Sequence, residues 1–287
     1  MNKNNKNSLN HNFIYKFSID LLKFLFKYWK FIIKSQEGYI FITLFNLTSI
    51  VINSKVRVKY INNSYEIKDS RFLNLIKRSN NQSVLVNCYL KGFKNRTFDL
   101  QRCYQLNKIP FKNDDIIFDC GANNGDLKLW FDIRGIKVNY CGFEPDPSEY
   151  KNLIFNVSPS KCFNIGCWEE NLIMNFYISR FNADSSFIKP PHYEEVKDIE
   201  VKRLDNFVTK KIKLLKLEGE GAEFEILKGL GEKIELIEYI SADLGFERGI
   251  NQESTLPQVV NYLLNRNFKI ISIGEGRIAL LFKNMKY

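Results

Sequence analysis

The sequence is poor in the residues on which much enzyme chemistry depends. It has two histidines in 287 residues, His11 in a polar tail and His192 behind two prolines. That excludes a Ser-His-Asp apparatus and a histidine-rich metal site. None of the six cysteines, at 88, 103, 120, 141, 162 and 167, forms a Cys-x-x-Cys pair. Zinc-type spacing is therefore missing, and buried free thiols in a reducing compartment are expected. No basic cluster interleaved with aromatics points to nucleic acid, and none is expected as a partner despite a formal charge of +10. The opening "MNKNNKNSLNHN" is polar and reads as a disordered tail over 1–12. No small-residue cleavage site follows the next apolar stretch, so no signal peptide is expected and the cytoplasm is the expected compartment.

What is present begins with a 45% hydrophobic composition, enough for one large domain plus an extension. Residues 13–34 carry charges at Lys16, Asp20, Lys23, Lys27, Lys30 and Lys34, one polar seam on an otherwise apolar and aromatic helix. Two readings stay open: a helix packed on the main domain, or a peripheral membrane contact with lysines at head groups. Charge at every turn argues against a spanning segment. The run 39–52, "YIFITLFNLTSIVI", is too short to span and reads as a buried or dipping element. Within the extension 13–110, "VRVKYI", "YEIK" and "SVLVNCYL" read as short strands and "RFLNLIKR" as a helix.

From residue 111 to the C-terminus the pattern alternates. Strands are expected at 115–119, 138–143, 161–166, 213–218 and 239–244, and helices at 125–134, 147–156, 222–229 and 254–265. This is βαβ grammar and predicts a Rossmann-like α/β fold, a mostly parallel sheet with helices on both faces. "FKIISI", "GEG" and "RIALLF" add a C-terminal antiparallel hairpin.

Four of these strands end in acids, Asp119, Glu144, Glu218 and Asp243. In an open parallel sheet such ends share the rim where ligands bind. The first loop, "FDCGANNGD", has Gly121 and Gly125 around a tight turn into a helix. Glu144 follows 23 residues after Gly121, the distance of a ribose-binding acid, so a nucleoside-bearing cofactor is expected. Asp119 stands where the dinucleotide fingerprint has its first glycine. An acid there repels a pyrophosphate but suits an ammonium and a sulfonium, which points to S-adenosylmethionine.

In order, "DCGANNGD", "FEPDP", "VKRLDNF" and "LLKLEGEGAEFEILKG" resemble the FkbM-type class I methyltransferases, from about Asp114 onward. The resemblance implies that Asp119, Gly121, Asn123 and Gly125 hold the methionine and ribose part. Glu144 would clasp the ribose, Pro145 and Asp146 would shape the adenine side, and Asn164 and Gly166 would edge the base. Lys216, Glu218 and Glu220 fall on the family's fourth block, near the transferred methyl, with Glu218 where aspartate is usual. The tail from "YISADLGFERG" is similar to members linked to surface polysaccharides, implying O-methylation of a saccharide or glycolipid acceptor.

A sugar hydroxyl is a weak acid, so its proton needs an acceptor. Glu218 and Glu220 are the candidate bases, with Asp243 next and His192 the runner-up, read alternatively as a surface-loop histidine. Lys216 orients Glu218 or an acceptor oxygen, or else forms a plain salt bridge across strands, and Asp184, Ser185 and Ser186 read as lid residues. Glu220 reads alternatively as a helix cap, and Glu223 and Glu225 as solvated helix residues, the latter three before Lys228. Glu218, Glu220 and Asp243 would also suit magnesium or calcium, and a divalent metal is left undecided. The competing readings are a non-catalytic cofactor-binding or membrane-recruited homologue and a nucleotide-dependent oxidoreductase.

Overall fold

The apolar runs of the second half sort into a central sheet because its strands are buried on both faces, as parallel strands must be. In the computed structural model, which describes residues 23, 25–62, 64–79, 81–179 and 185–287, these strands are preceded by a smaller unit. Expectations for 1–12, for most of 13–24 and for Asp184 lie outside the described residues.

Helix α1 (residues 25–34) and helix α2 (Gly38–Val51) lie over an antiparallel sheet of β1 (Val56–Ile61), β2 (Ser64–Asp69) and β3 (Leu75–Arg78). Phe41 and Phe45 pack with Val58, Tyr65 and Ile67 from the sheet in one apolar cluster. Two expectations fail here. "RFLNLIKR" is a turn followed by β3, because the Asp69 carboxylate accepts from Arg71 N and Nε and closes the chain back on β2. "SVLVNCYL" is helical, α3 (Gln82–Val84) running into a π-turn at Leu85–Tyr89. Its buried residues Leu85, Val86, Tyr89 and Leu90 recur at helical spacing, not at two, and the Asn81 side chain caps the start by accepting from Val84 N. Helix α4 (Phe93–Tyr104) follows.

The central sheet uses β4 (Ile116–Cys120), β5 (Asn139–Phe143), β6 (Lys161–Phe163), β10 (Ile212–Leu217), β11 (Ile237–Asp243), β14 (Phe268–Ile273) and β15 (Ala279–Asn284). Their order is β14-β15-β11-β10-β4-β5-β6. The five strands from β11 to β6 are parallel, while β15 runs antiparallel to β11 and β14 to β15. Helices α5 (Asp126–Ile133), α6 (Pro147–Asn156), α7 (Glu223–Lys228) and α8 (Leu256–Leu264) supply the other layers, with a separate apolar cluster on each face. Chain order reverses between β4 and β10, and the crevice for a ligand opens outside the carboxyl ends of such a pair.

The third strand is shorter than expected. β6 ends at Phe163, and β7 (Gly166–Cys167) leaves for a second small sheet with β8 (Leu172–Ile178) and β9 (Glu195–Lys202). Cys162 and Cys167 therefore belong to different sheets. A short ribbon of β12 (Phe246–Arg248) and β13 (Glu253–Ser254) precedes α8.

Candidate active site

At the switch point a cavity of about 680 Å³ opens, within the range of small-molecule sites. Register builds its floor: Lys216 on β10 stands beside Asp119 on β4, and Asp119 beside Gly142 on β5. The Lys216 ammonium lies 3.1 Å from Asp119 Oδ1 and 2.8 Å from Glu218 Oε2, and donates to Gly121 O at 2.7 Å. Tyr140 OH donates to Asp119 Oδ2 at 2.6 Å. Burial raises Asp119 above the usual carboxylate range despite Lys216 beside it. Burial alone would lower Lys216, but the two carboxylates outweigh it and hold the ammonium charged.

The two glycines of the first loop serve packing. Gly121 has φ +69° and a Cβ there would stand 2.0 Å from Glu218 O. Gly125 has φ +82° and a Cβ would meet Val157 Cγ1 at 2.3 Å; this glycine lies behind the cavity wall, closing the loop against α6. Between them Asn123 N donates to Glu144 Oε2 at 2.7 Å, and Asp146 N to Glu144 Oε1 at 2.9 Å. Burial, opposed by these backbone donors, pushes Glu144 up to about 8. Asp146 caps α6, accepting from Ser148 N.

Of the residues expected to hold cofactor, Asp119, Gly121, Asn123, Glu144, Pro145, Asp146 and Gly166 line the cavity. Asn164 does not. Its side-chain amide is spent on Glu144 O and Pro145 O, tying the second strand's loop to the third.

Sequence reasoning missed the wall supplied by the N-terminal unit. Arg78 Nη2 donates to Asn123 Oδ1 at 2.8 Å, while Arg96 Nε reaches Asp126 Oδ2 at 2.7 Å and Tyr89 OH donates to Asp126 Oδ1. Only a three-dimensional partner, not spacing, marks these arginines.

The cavity carries eight carboxylates (Asp119, Asp126, Glu144, Asp146, Glu149, Glu218, Glu220, Glu247) against four cations (Arg78, Arg96, Lys216, Arg277). In the same wall Asn124 Oδ1 is buried without a hydrogen-bond partner among the described residues, an acceptor suited to an amine or hydroxyl. This surplus of carboxyl oxygens over cations fits S-adenosylmethionine, which brings an ammonium, a sulfonium and ribose hydroxyls. Phe143, Ile165, Cys167, Phe176 and Phe187 give the cavity an apolar side.

The far rim differs from expectation. Arg277, at the start of the last strand's approach, sets Nη1 2.6 Å from Glu218 Oε1 and 2.9 Å from Asp243 Oδ2. Burial would raise Glu218, but Lys216 and Arg277 outweigh it and bring the carboxyl down to about 2. Asp243 is 1% exposed and stands behind the wall, anchoring Arg277. Glu220 lines the cavity from a left-handed backbone conformation, φ +49°. The hinge of its loop is braced by the two residues read as solvated. Glu223, 1% exposed, accepts from Gly219 N and Gly221 N and from Thr255 Oγ1. Glu225 makes a two-point pair with Arg248, and Lys228 pairs with Glu169 instead. Ser185 and Ser186 line the cavity, and Ser186 Oγ donates to Glu220 O at 2.8 Å. His192 is exposed and outside the cavity.

One rim residue stands apart. The Glu247 carboxylate lines the cavity with no hydrogen bond or ion pair among the described residues. Burial, then the charges of Asp243, Glu218 and Glu223, push it up to about 7. The available signal was its place four residues beyond Asp243. Among the described residues no group of three or more His, Cys, Asp or Glu side chains is arranged to hold a metal ion; Lys216 and Arg277 sit where Glu218 and Asp243 would have offered oxygens.

Residues 119–270, just over half of the chain, match the model of the methyltransferase FkbM domain. A curated relative, "Methyltransferase 1" of Beauveria bassiana, is 25% identical over 188 residues, covering 55% of this chain and 74% of its own. Among solved structures, methyltransferase FkbM from Methylobacillus flagellatus is 17% identical with a TM-score of 0.46, covering 70% of this chain and 53% of that one. This chain thus spans about half the length of that protein. A putative rRNA methylase from Clostridium thermocellum is 10% identical with a TM-score of 0.42, covering 65% of this chain and 97% of that one.

Proposed function

Since this chain belongs to the FkbM family of S-adenosylmethionine-dependent methyltransferases, we propose that it methylates a hydroxyl of a saccharide or glycolipid acceptor at the rim formed by Glu218, Glu247 and Arg277. When bound, the cofactor supplies a methyl carbon activated by a sulfonium. The protein's share is to align the acceptor oxygen and receive its proton. The observation that carries this reading is the contrast between two glutamates of one rim. Glu218 is held ionised by two cations and is too weak a base to take a hydroxyl proton. Glu247 has no such partner, and its value of about 7 matches what general-base catalysis at neutral pH requires. Lys216 and Arg277, fixed by Asp119, Glu218 and Asp243, offer donors that would orient an oxygen-rich acceptor. Asn123, Glu144 and Asn124 are the residues we assign to the cofactor.

The test uses S-adenosylmethionine carrying a tritiated methyl group. The purified chain is incubated with the saccharide, lipid and RNA fractions of a bacterial extract, and label is followed into each. Label in saccharide or glycolipid, lost with Glu247→Gln while calorimetry still shows cofactor binding, supports the reading. Label in RNA sinks the saccharide assignment, and a well-folded chain that binds no S-adenosylmethionine sinks the whole proposal.

A further inference from the structure

Helix α2 has no charged residue in its 14 positions, and its outward face is as apolar as its inward one. Phe41 and Phe45 are buried, while Tyr39 is 90% and Val51 83% exposed, with Ile40, Leu47 and Ile50 exposed between them. Helix α1 adds exposed Leu25, Tyr28 and Phe31. Trp29 Nε1 donates to Thr48 Oγ1 at 2.8 Å, which ties the two helices together. Water-facing helices normally turn a polar face outward, and an extended apolar patch signals a partner.

Charge identifies that partner. Residues 23–61 hold seven cations (Lys23, Lys27, Lys30, Lys34, Lys55, Arg57, Lys59) and one acid, Glu37. Lys30 is drawn below its ordinary value by burial, then by Lys91 and Lys34, so these ammonium groups converge. Lys30, Lys34 and Lys91 have no ion pair among the described residues. Beside them a smaller cavity is lined by the apolar Phe26 and Ile52, the polar Asn53 and Ser54, and the cationic Arg71 and Lys91. A second copy seated on this face would bring two lysine clusters together with a single acid each. An anionic surface meets neither obstacle.

We infer that helices α1 and α2 form a docking surface for an anionic lipid bilayer, with Leu25, Tyr28, Phe31, Tyr39, Leu47 and Val51 in the headgroup boundary and the lysines on lipid phosphates. No helix among the described residues is long and apolar enough to cross a membrane. At ~1.5 Å per residue α2 is about 21 Å long, short of the ~30 Å hydrocarbon thickness, so it lies in the interface plane.

Sedimentation with sucrose-loaded vesicles tests this in the full chain. Binding is expected to vesicles of equal parts phosphatidylcholine and phosphatidylglycerol, weak on phosphatidylcholine alone, and falling with added salt. Each of Lys30→Gln and Lys34→Gln should weaken it by about fivefold. Leu47→Ser with Val51→Ser should abolish it while leaving calorimetric S-adenosylmethionine binding intact, which shows that the variant is folded. Absence of binding to the anionic vesicles overturns the inference. So does a concentration-dependent dimer in sedimentation velocity that the Leu47→Ser, Val51→Ser variant breaks, because a second copy then covers the face.

Discussion

Lys216 and Asp119 occupy paired positions on adjacent parallel strands, and their side chains meet 3.1 Å apart at the bottom of the cavity. Asp119 is 1% and Lys216 4% exposed. A charge pair so placed is worth less for its own attraction than for the cost of breaking it, since either charge alone would be stranded. Lys216→Met should lower the unfolding free energy by about 3–5 kcal/mol in urea denaturation. A loss below about 1 kcal/mol would mean that water reaches the floor of the site.

Glu218 sits at about 2 against an ordinary 4.5. A carboxyl lowered on folding adds stability in full above its ordinary value and loses it as pH falls through the folded one. Wild type should therefore exceed Glu218→Gln in stability at neutral pH, with the difference vanishing between pH 4.5 and pH 2. Thermal unfolding across that window measures it. A pH-independent difference would remove the ion pairs as its cause.

Glu247 runs the other way. Raised to about 7 from 4.5, its charged form is disfavoured in the folded chain, so its stability cost sets in above pH 4.5 and is complete above pH 7. Glu247→Gln should unfold at a higher temperature than wild type at pH 8 and at the same temperature at pH 4. Carbon-13 NMR of carboxyl-labelled glutamate should show one resonance titrating near 7 that disappears in the variant. Titration of every glutamate near its ordinary value would exclude Glu247 as the proton acceptor.

The glycines separate strain from collision. Gly121 and Gly135 both have φ +69°, but a Cβ on Gly135 meets nothing within 4 Å whereas one on Gly121 meets Glu218 O. Gly135→Ala should cost about 1–2 kcal/mol from backbone conformation alone. Gly121→Ala should cost at least twice that in urea denaturation and lose cofactor binding, because strands β4 and β10 must separate to admit the methyl group. Equal costs would show that the loop yields freely.

Much of the catalytic half was legible because periodicity, turn glycines and strand-end acids all report on local geometry. The parallel strands, the closing hairpin and the position of the cavity follow from them. Pairings across long sequence distances were not legible. Arg277 reads as a hairpin residue until the antiparallel register sets Ala279 opposite Asp243. Glu223 and Glu225 look solvated because helical spacing gives no hint that Thr255 and Arg248 close over them. The segment around "SVLVNCYL" misled because β-branched and aromatic residues were read as strand propensity, when tertiary packing of α3 and the π-turn decided the outcome.

Arg78 ends a strand of the small N-terminal sheet yet has its guanidinium on Asn123 and Asp126 of the first glycine loop. The sheet that carries the apolar helices thus also contributes a wall to the cavity through Arg78. A fragment beginning at Asp119, where the family match starts, would be an opened vessel rather than a smaller enzyme, with Asp126 stripped of both arginines and facing water.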